Sequence, residues 1–382
     1  MVPADLLGLE VGVVDAPLTS WWTVVALALL AVLLVVLAVR RRRAEPRRRA
    51  WPAAVGAALV VVLALAVGAN AYVGYIATWE GLLAHLGVHR DAQPPWTPQT
   101  RPTPDSPQVA QIGDPPVEGS GHFGVARIPV PAERNLPTTD TWIYTPPGFD
   151  TSGETLYPMV ILMHGSPGRS VDWFSAGAGD VLDDLITTGQ LRPVIVVSPD
   201  VNTPGASEAA CLDSTLGGAQ VETYLQEDVR PWVEGHYPIA TDRTYQAIGG
   251  MSSGAFCALD QGLRHSSDTG TILALMPYGT PGAGADGQLE GQDQIDAHSP
   301  SVYVDTIDLT SPTAVFLAYG ENERDDEVVE TAHHLDERLR ARGEPVELVV
   351  LPGEGHTWRA SIALLPQAMA FWERQMAAGE AS

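Results

Sequence analysis

The stretch Ala247-Ile248-Gly249-Gly250-Met251-Ser252-Ser253-Gly254-Ala255 sets a serine between glycines where one periodicity gives way to another. Thr244–Ile248 reads as a short β-run, and Ala255–Leu263 reads as a helix with its apolar residues on one side. A strand that turns sharply into a helix lifts the residue at the turn clear of both. The positions two before and two after it lie where strand and helix pass closest, so they must be small, and Gly250 and Gly254 occupy them. The G-x-S-x-G pattern thus predicts a strained turn that presents the Ser252 hydroxyl at the end of a buried strand.

A serine hydroxyl is a weak nucleophile and needs a base, a group that orients the base, and donors for a developing oxyanion. In open α/β sheets such groups collect on loops at the carboxyl ends of strands, with the acid before the histidine in chain order when the serine comes first. Gly353-Glu354-Gly355-His356-Thr357-Trp358 follows the last β-run, which makes His356 the candidate base. His333 and His334 sit within a polar helix and His164 precedes a turn, so they fit less well. For the acid, a β-run ending at Tyr319 breaks into Gly320-Glu321-Asn322-Glu323-Arg324-Asp325-Asp326. A carboxylate three residues past the glycine projects toward the histidine loop. This selects Glu323, with Asp325 second and Asp326 third, and leaves the other acids as solvated charge. Met163-His164-Gly165-Ser166-Pro167-Gly168 closes an early apolar strand with a Gly/Pro turn. Its Ser166 N–H, with Gly165 in reserve, joins the Ser253 N–H as candidate oxyanion donors. Trp173 and Trp358 flank these loops, and both a pocket wall and the core would suit them.

From about residue 120 the chain alternates β-runs with helical patterns, which predicts a mostly parallel sheet flanked by helices. The runs are Gly124–Val130, Thr139–Tyr144, Met159–Met163, Val194–Val197, Thr244–Ile248, Ile272–Met276, Ala314–Ala318 and Val346–Val350. Helices are expected at Gly179–Thr188, Val221–His236, Ala255–Leu263, Asp326–Arg342 and Ser361–Ala377. Thr280–Ser311, long and rich in Gly, Asp and Gln, is expected to cap the site.

The first third of the chain is different in kind. Residues 18–39 and 51–76 carry no charge, each is long enough to cross a bilayer, and Trp21-Trp22 and Tyr72, Tyr75 and Trp79 stand at their ends. Between them, residues 40–50 hold seven arginines against Glu45. The positive-inside rule keeps that loop cytoplasmic, so the acidic tail (1–17) and everything after Ile76 are expected outside. A cleaved signal peptide fits less well, because Asp5, Glu10 and Asp15 stand where a basic region belongs. Residues 77–119 include eight prolines between Pro94 and Pro116 and are expected to form a semi-extended tether to a domain at 120–378.

Charge narrows the partners. The 382-residue chain has 22 basic residues, all arginine, against 46 acids. Residues 91–382 alone carry fourteen arginines and forty-one acids, which argues against nucleic acid as a partner. Cys211 and Cys257 are too few for a zinc cluster, but outside the cytoplasm they are expected to pair. His85 and His89, four apart, lack an HExxH glutamate and an evident third ligand, so no metal site is expected.

Taken in order, Trp142-Ile143-Tyr144-Thr145-Pro146-Pro147-Gly148-Phe149, Tyr157–Gly165, Gly-Met-Ser-Ser-Gly and Gly-His-Thr-Trp resemble the esterase branch of the α/β-hydrolases. That branch includes esterase-D-like and enterochelin-esterase-like enzymes and the mycolyltransferases, and the resemblance covers about residues 120–378. It implies an α/β-hydrolase fold, a Ser/acid/His triad, and acyl-enzyme chemistry without metal or organic cofactor. It puts the nucleophile on Ser252, the base on His356 and an oxyanion donor at the His-Gly turn. Many relatives have aspartate where Glu323 stands, whereas the mycolyltransferases, similar in the Gly-x-His-Ser/Thr-Trp ending, use glutamate. The hairpin is similar to that of actinobacterial membrane-anchored esterases. The expectation is therefore an extracytoplasmic serine hydrolase acting on carboxylic esters, with a small molecule or an envelope lipid or glycan carrying the acyl group. Acyl transfer to a sugar hydroxyl and an inactive binding module are the alternatives.

Overall fold

The computed structural model describes residues 16–44, 51–113, 119–206 and 208–381. Most of the acidic tail and Arg47–Arg49 lie outside the described residues. The two apolar stretches form long helices, α1 (Trp21–Ala44) and α2 (Trp51–Val73), which pack side by side. Both are long and apolar enough to cross a membrane, and most of their leucines and valines are exposed. Asn70 closes the end away from the arginines. Its amide donates to Leu18 O (2.9 Å) and Ile76 O (2.6 Å) and accepts from Ile76 N–H (2.9 Å).

The proline-rich segment departs from the expected tether. Helix α3 (Trp79–His85), capped by Thr78, packs through Gly81 against the Ser175 backbone. Beyond it, Ala92 N–H bonds Val125 O, Trp96 is buried, and Gln108–Val109 pairs in parallel with Thr155–Leu156. Proline content predicted a semi-extended backbone. It carried no information about the domain edges that this backbone lies against.

The main sheet has eight strands: β1 (His122–Ala126), β2 (Thr141–Thr145), β3 (Met159–Met163), β4 (Ile195–Ser198), β5 (Gln246–Met251), β6 (Thr271–Leu275), β7 (Ala314–Gly320) and β8 (Val346–Leu351). Their order is β8-β7-β6-β5-β3-β4-β2-β1; β2 is antiparallel to both its neighbours and the rest are parallel. Every residue of β3 and β5 is buried, as a strand covered on both faces requires. One core layer includes α4 (Ala178–Thr187) and α8 (Trp358–Glu380), and the other includes α5 (Arg230–His236), α6 (Ser253–Arg264) and part of α7 (Asp326–Ala341).

All eight expected strands are present, with ends shifted by a few residues. The expected helix at 221–236 is broken by a π-helical segment, Tyr224–Val229. Thr280–Ser311 is ordered by three short helical turns, Gly282–Ala285, Gln292–Ala297 and Pro300–Tyr303.

Register brings the functional loops together. Met163 at the end of β3 pairs with Gly250, Met251 with Leu275, Leu275 with Ala318, and Gly320 with Leu351. The turns after β3, β5, β7 and β8 therefore leave the same edge of the sheet.

Candidate active site

Ser252 joins β5 to α6 at φ 61°, ψ −124°, a backbone conformation that an L-residue avoids at a cost of about 1–3 kcal/mol. The two glycines explain how the turn closes. A Cβ on Gly250 would stand 2.2 Å from Gly254 O, and one on Gly254 would stand 2.4 Å from Met163 O. Ser252 N–H is held by Leu275 O (2.9 Å), and Ser252 O caps the helix by accepting from Ala255 and Phe256 N–H. The Ser252 hydroxyl makes no hydrogen bond among the described residues.

The loops after β7 and β8 are stitched to each other. Glu321 N–H bonds Leu351 O, Asn322 N–H bonds Glu354 O, and Gly353 N–H bonds the Glu321 carboxylate at 3.0 Å. Gly320 leaves no room for a side chain, since a Cβ there would be 2.4 Å from Glu354 O. Across this seam His356 Nδ1 donates to Glu323 Oε2 at 2.8 Å, with the Glu323 side chain 2% exposed and the imidazole 25%. Glu323 Oε1 accepts from Arg324 and Asp325 N–H (2.8 and 3.1 Å). Burial, the largest influence, pushes the Glu323 carboxyl upward. The His356 contact and the two backbone donors together outweigh it and hold the group below the usual glutamate range. His356 Nε2 has no partner among the described residues.

The crowd of acids sorts into separate tasks. Asp325, second choice for the acid, caps α7 by accepting from Glu327 N–H and takes the Tyr278 hydroxyl at 3.0 Å. Asp326 lies in the first turn of α7, and Glu327 accepts from Thr280 at 3.0 Å. Spacing alone could not separate these roles, because they depend on which carboxylate lies under the histidine and which opens the helix.

The turn after β3 lies against the nucleophile: a Cβ on Gly165 would be 3.1 Å from Ser252 Cβ. Ser166 Oγ accepts from Ala209 N–H at 2.7 Å. Among the described residues neither Ser166 N–H nor Ser253 N–H has an acceptor. Both residues, with Ser252, Phe256, Tyr278 and Thr280, line a cleft of about 260 Å³. Of the expected cap, only Thr280–Ala283 borders this cleft. The rest of the segment packs elsewhere, with Tyr303 and His298 on Asp260 of α6.

Trp173 and Trp358 are not among the residues lining this cleft. Trp173 is fully buried, its indole N–H bonds Met163 O (3.0 Å), and Trp358 packs edge-on against it at 5.2 Å. They hold the strand end and the histidine loop from below. Cys211 and Cys257 form a disulfide 46 residues apart, tying a loop after β4 to the helix that Ser252 opens. A loop of that length contributes about 4 kcal/mol in the chain-entropy estimate.

Sequence reasoning passed over two groups. Tyr278, three residues past β6, stacks obliquely over His356 at 6.1 Å. Buried His164 donates from Nδ1 to Gly165 O (2.8 Å) and accepts Val201 N–H at Nε2 (3.1 Å), fixing the turn behind Ser166. Position at a strand's carboxyl end was the available signal for Tyr278. For His164 the signal was an imidazole next to a glycine that must stay small.

The eight-stranded order, with the serine elbow after its fifth strand, defines an α/β-hydrolase. Residues 138–372 match the family described as "Putative esterase", and the chain belongs to it. Curated relatives include an uncharacterized protein of Corynebacterium glutamicum, 26% identical over 69% of this chain and 62% of that one. Another is an esterase of Mycobacterium tuberculosis, 25% identical over 57% of this chain and 52% of the other. The chain thus matches between half and two thirds of the length of those relatives. Similar folds include a ferulic acid esterase (TM-score 0.58, 22% identity, 67% of this chain and all of the other). An S-formylglutathione hydrolase from Agrobacterium tumefaciens is also similar (0.57, 14%, covering 67% and 96%). So is a fluorophosphonate-binding serine hydrolase from Staphylococcus aureus (0.52, 15%, covering 66% and 99%).

Proposed function

We propose that the chain is a membrane-anchored serine hydrolase of carboxylic esters, with its catalytic domain outside the cytoplasm and Ser252, His356 and Glu323 as its triad. One observation carries this reading: Glu323 grips His356 Nδ1 at 2.8 Å, while Nε2 stays unpartnered on the same sheet edge as the strained Ser252 elbow. In the proposed reaction His356 Nε2 takes the proton from Ser252 Oγ as that oxygen attacks the ester carbonyl. Glu323 holds the imidazole in the required tautomer and balances the imidazolium that forms. The Ser166 and Ser253 N–H groups receive the oxyanion. His356 returns the proton to the leaving alcohol, and water then releases the acyl group by the same route in reverse.

Outward placement is supported by the arginines between the two apolar helices and by the disulfide, which suits an oxidising compartment. The glutamate at position 323 favours a second reading, in which a sugar hydroxyl replaces water as acyl acceptor. Substrates are carboxylic esters or acyl groups borne on envelope lipids or glycans. The test uses a membrane-impermeant fluorophosphonate on intact cells making the full chain. The expected result is labelling that is lost in Ser252→Ala. Labelling only after permeabilisation would overturn the topology, and no labelling of the unaltered protein would overturn the catalytic assignment. Turnover of a p-nitrophenyl ester with and without trehalose separates hydrolysis from transfer by product.

A further inference from the structure

The turn that carries Ser166 is held from behind by a residue outside the hydrolase sheet. Tyr75, two residues past the end of α2, donates its hydroxyl to Asp172 Oδ1 at 2.9 Å, and Asp172 Oδ2 accepts Arg169 N–H at 2.8 Å. Asp172 is fully buried, so neither oxygen can exchange its donor for water. Around the same turn His164 Nδ1 holds Gly165 O at 2.8 Å and Asn202 Nδ2 holds Gly168 O at 2.9 Å. The turn has no slack: a Cβ on Gly168 would meet Gly165 O at 2.2 Å and Asp172 Oδ2 at 3.0 Å.

Tyr75 is itself fixed. Gly74, at φ +73°, lies so close to α8 that a Cβ would stand 2.7 Å from Arg359 N, three residues past His356. Ala77 N–H bonds Ser175 O at 2.7 Å, and Asn70 clamps Ile76 from both sides. The Tyr75 ring meets His85 edge-on at 5.2 Å and tilts over Trp358 at 6.4 Å.

We propose that Tyr75 is a positioning residue for the reaction: through Asp172 it sets where the Ser166 N–H meets the oxyanion formed at Ser252. The inference rests on the function proposed above. Removing the Tyr75 hydroxyl leaves one oxygen of a buried carboxylate without a donor. Asp172 then has to rotate toward another, pulling on Arg169 and the turn. An oxyanion donor acts on the transition state far more than on bound substrate, so its displacement lowers kcat and leaves KM alone. Losing such a donor outright costs about 100- to 1,000-fold, so a displaced one is expected to cost roughly tenfold.

The experiment compares full-length protein in detergent with Tyr75→Phe, which keeps the ring and its packing, and with Asp172→Asn, which keeps the size but offers one acceptor oxygen. Measured are kcat and KM on a p-nitrophenyl ester, the rate of fluorophosphonate labelling, and the thermal midpoint. The inference predicts a roughly tenfold lower kcat in each variant, KM within about twofold, and labelling slowed in proportion. The double variant should be no worse than the weaker single, because both act through one path. A wild-type kcat in Tyr75→Phe, a change confined to KM, or losses that multiply in the double variant would overturn it. A variant that loses its cooperative thermal transition is set aside in favour of the other, which carries the same kcat and KM readout alone. Unaltered protein that neither turns over ester nor takes label would overturn the proposed function, whereas active wild type with matching variants would overturn only the role of Tyr75.

Discussion

Helix α6 has a histidine–carboxylate cluster near each end, and the two differ in what they leave unsatisfied. At its start stands the strained Ser252, and on the same sheet edge His356 donates to Glu323 while its Nε2 has no partner among the described residues. At its end, His298 donates to Asp260 (2.9 Å), Tyr303 donates to the same carboxylate (3.0 Å), and His265 donates to Glu222 (2.7 Å). Glu222, Asp260 and His298 are close enough together to suggest a metal site. The Arg264 guanidinium, however, reaches Glu222 at 2.7 Å and Asp260 at 3.3 Å, so a cation already stands among them. The same residue types thus leave an acceptor open at one end, where the catalytic site is proposed, and form an ionic knot at the other. The proposed reactivity rests on the unpartnered acceptor and the strained turn, because a fully paired cluster has nothing left to offer a substrate.

The comparison can be broken most forcefully at the acid. Glu323→Ala is expected to lower kcat by about 1,000-fold, because the imidazole loses its tautomer control and the partner of its charged form. Asp325→Ala should lower kcat by less than tenfold while costing about 1 kcal/mol of stability, the usual worth of a helix N-cap. Steady-state kinetics and urea unfolding on both variants check this, and equal kcat losses would contradict it.

At the other end of α6 the balance should reverse. Arg264→Met removes the permanent cation between two buried carboxylates, leaving Glu222 to His265 and Asp260 to His298 and Tyr303, and is expected to cost about 3 kcal/mol of unfolding free energy. The activity per folded molecule should stay within a few-fold of wild type. Unchanged stability would show that the knot's charges are already compensated by other groups.

Much of this was legible in the chain. The strands were, because β3 and β5 are runs of small and apolar residues long enough only for a buried strand. Ser252 and His356 stood out as candidates because glycines at fixed offsets mark where the backbone must pass closely. Chain order and spacing selected Glu323 as the candidate acid, but four neighbouring carboxylates could be told apart only by their partners in space. Two features were hidden. Trp173 and Trp358 flank functional loops in sequence yet face the core, because direction depends on the turn between strand and helix. Residues 77–113 look like a tether by composition, but Gly81 and Trp96 pack against surfaces that composition cannot reveal.

The smallest expected effect sharpens the contrast by pH. Glu323 and Glu222 both lie below the ordinary glutamate value: burial pushes each upward, and their hydrogen bonds, Glu323 to His356 and Glu222 to His265 and Arg264, pull further down. A carboxyl lowered in the folded state adds stability above its unfolded value of about 4.3. That stability fades as pH falls through the folded value. The gap between the thermal midpoints of wild type and Glu323→Gln should therefore begin to close as pH falls below about 4.3 and vanish below the folded value. A gap that widens on acidification would contradict the assigned direction.

The most direct test of the central claim is peptide mapping by mass spectrometry after the full-length protein reacts with a fluorophosphonate. The account predicts a single phosphonate adduct on the oxygen of Ser252, forming far more slowly in Glu323→Ala. An adduct on any other residue, or none on a protein that still cleaves esters, would contradict it.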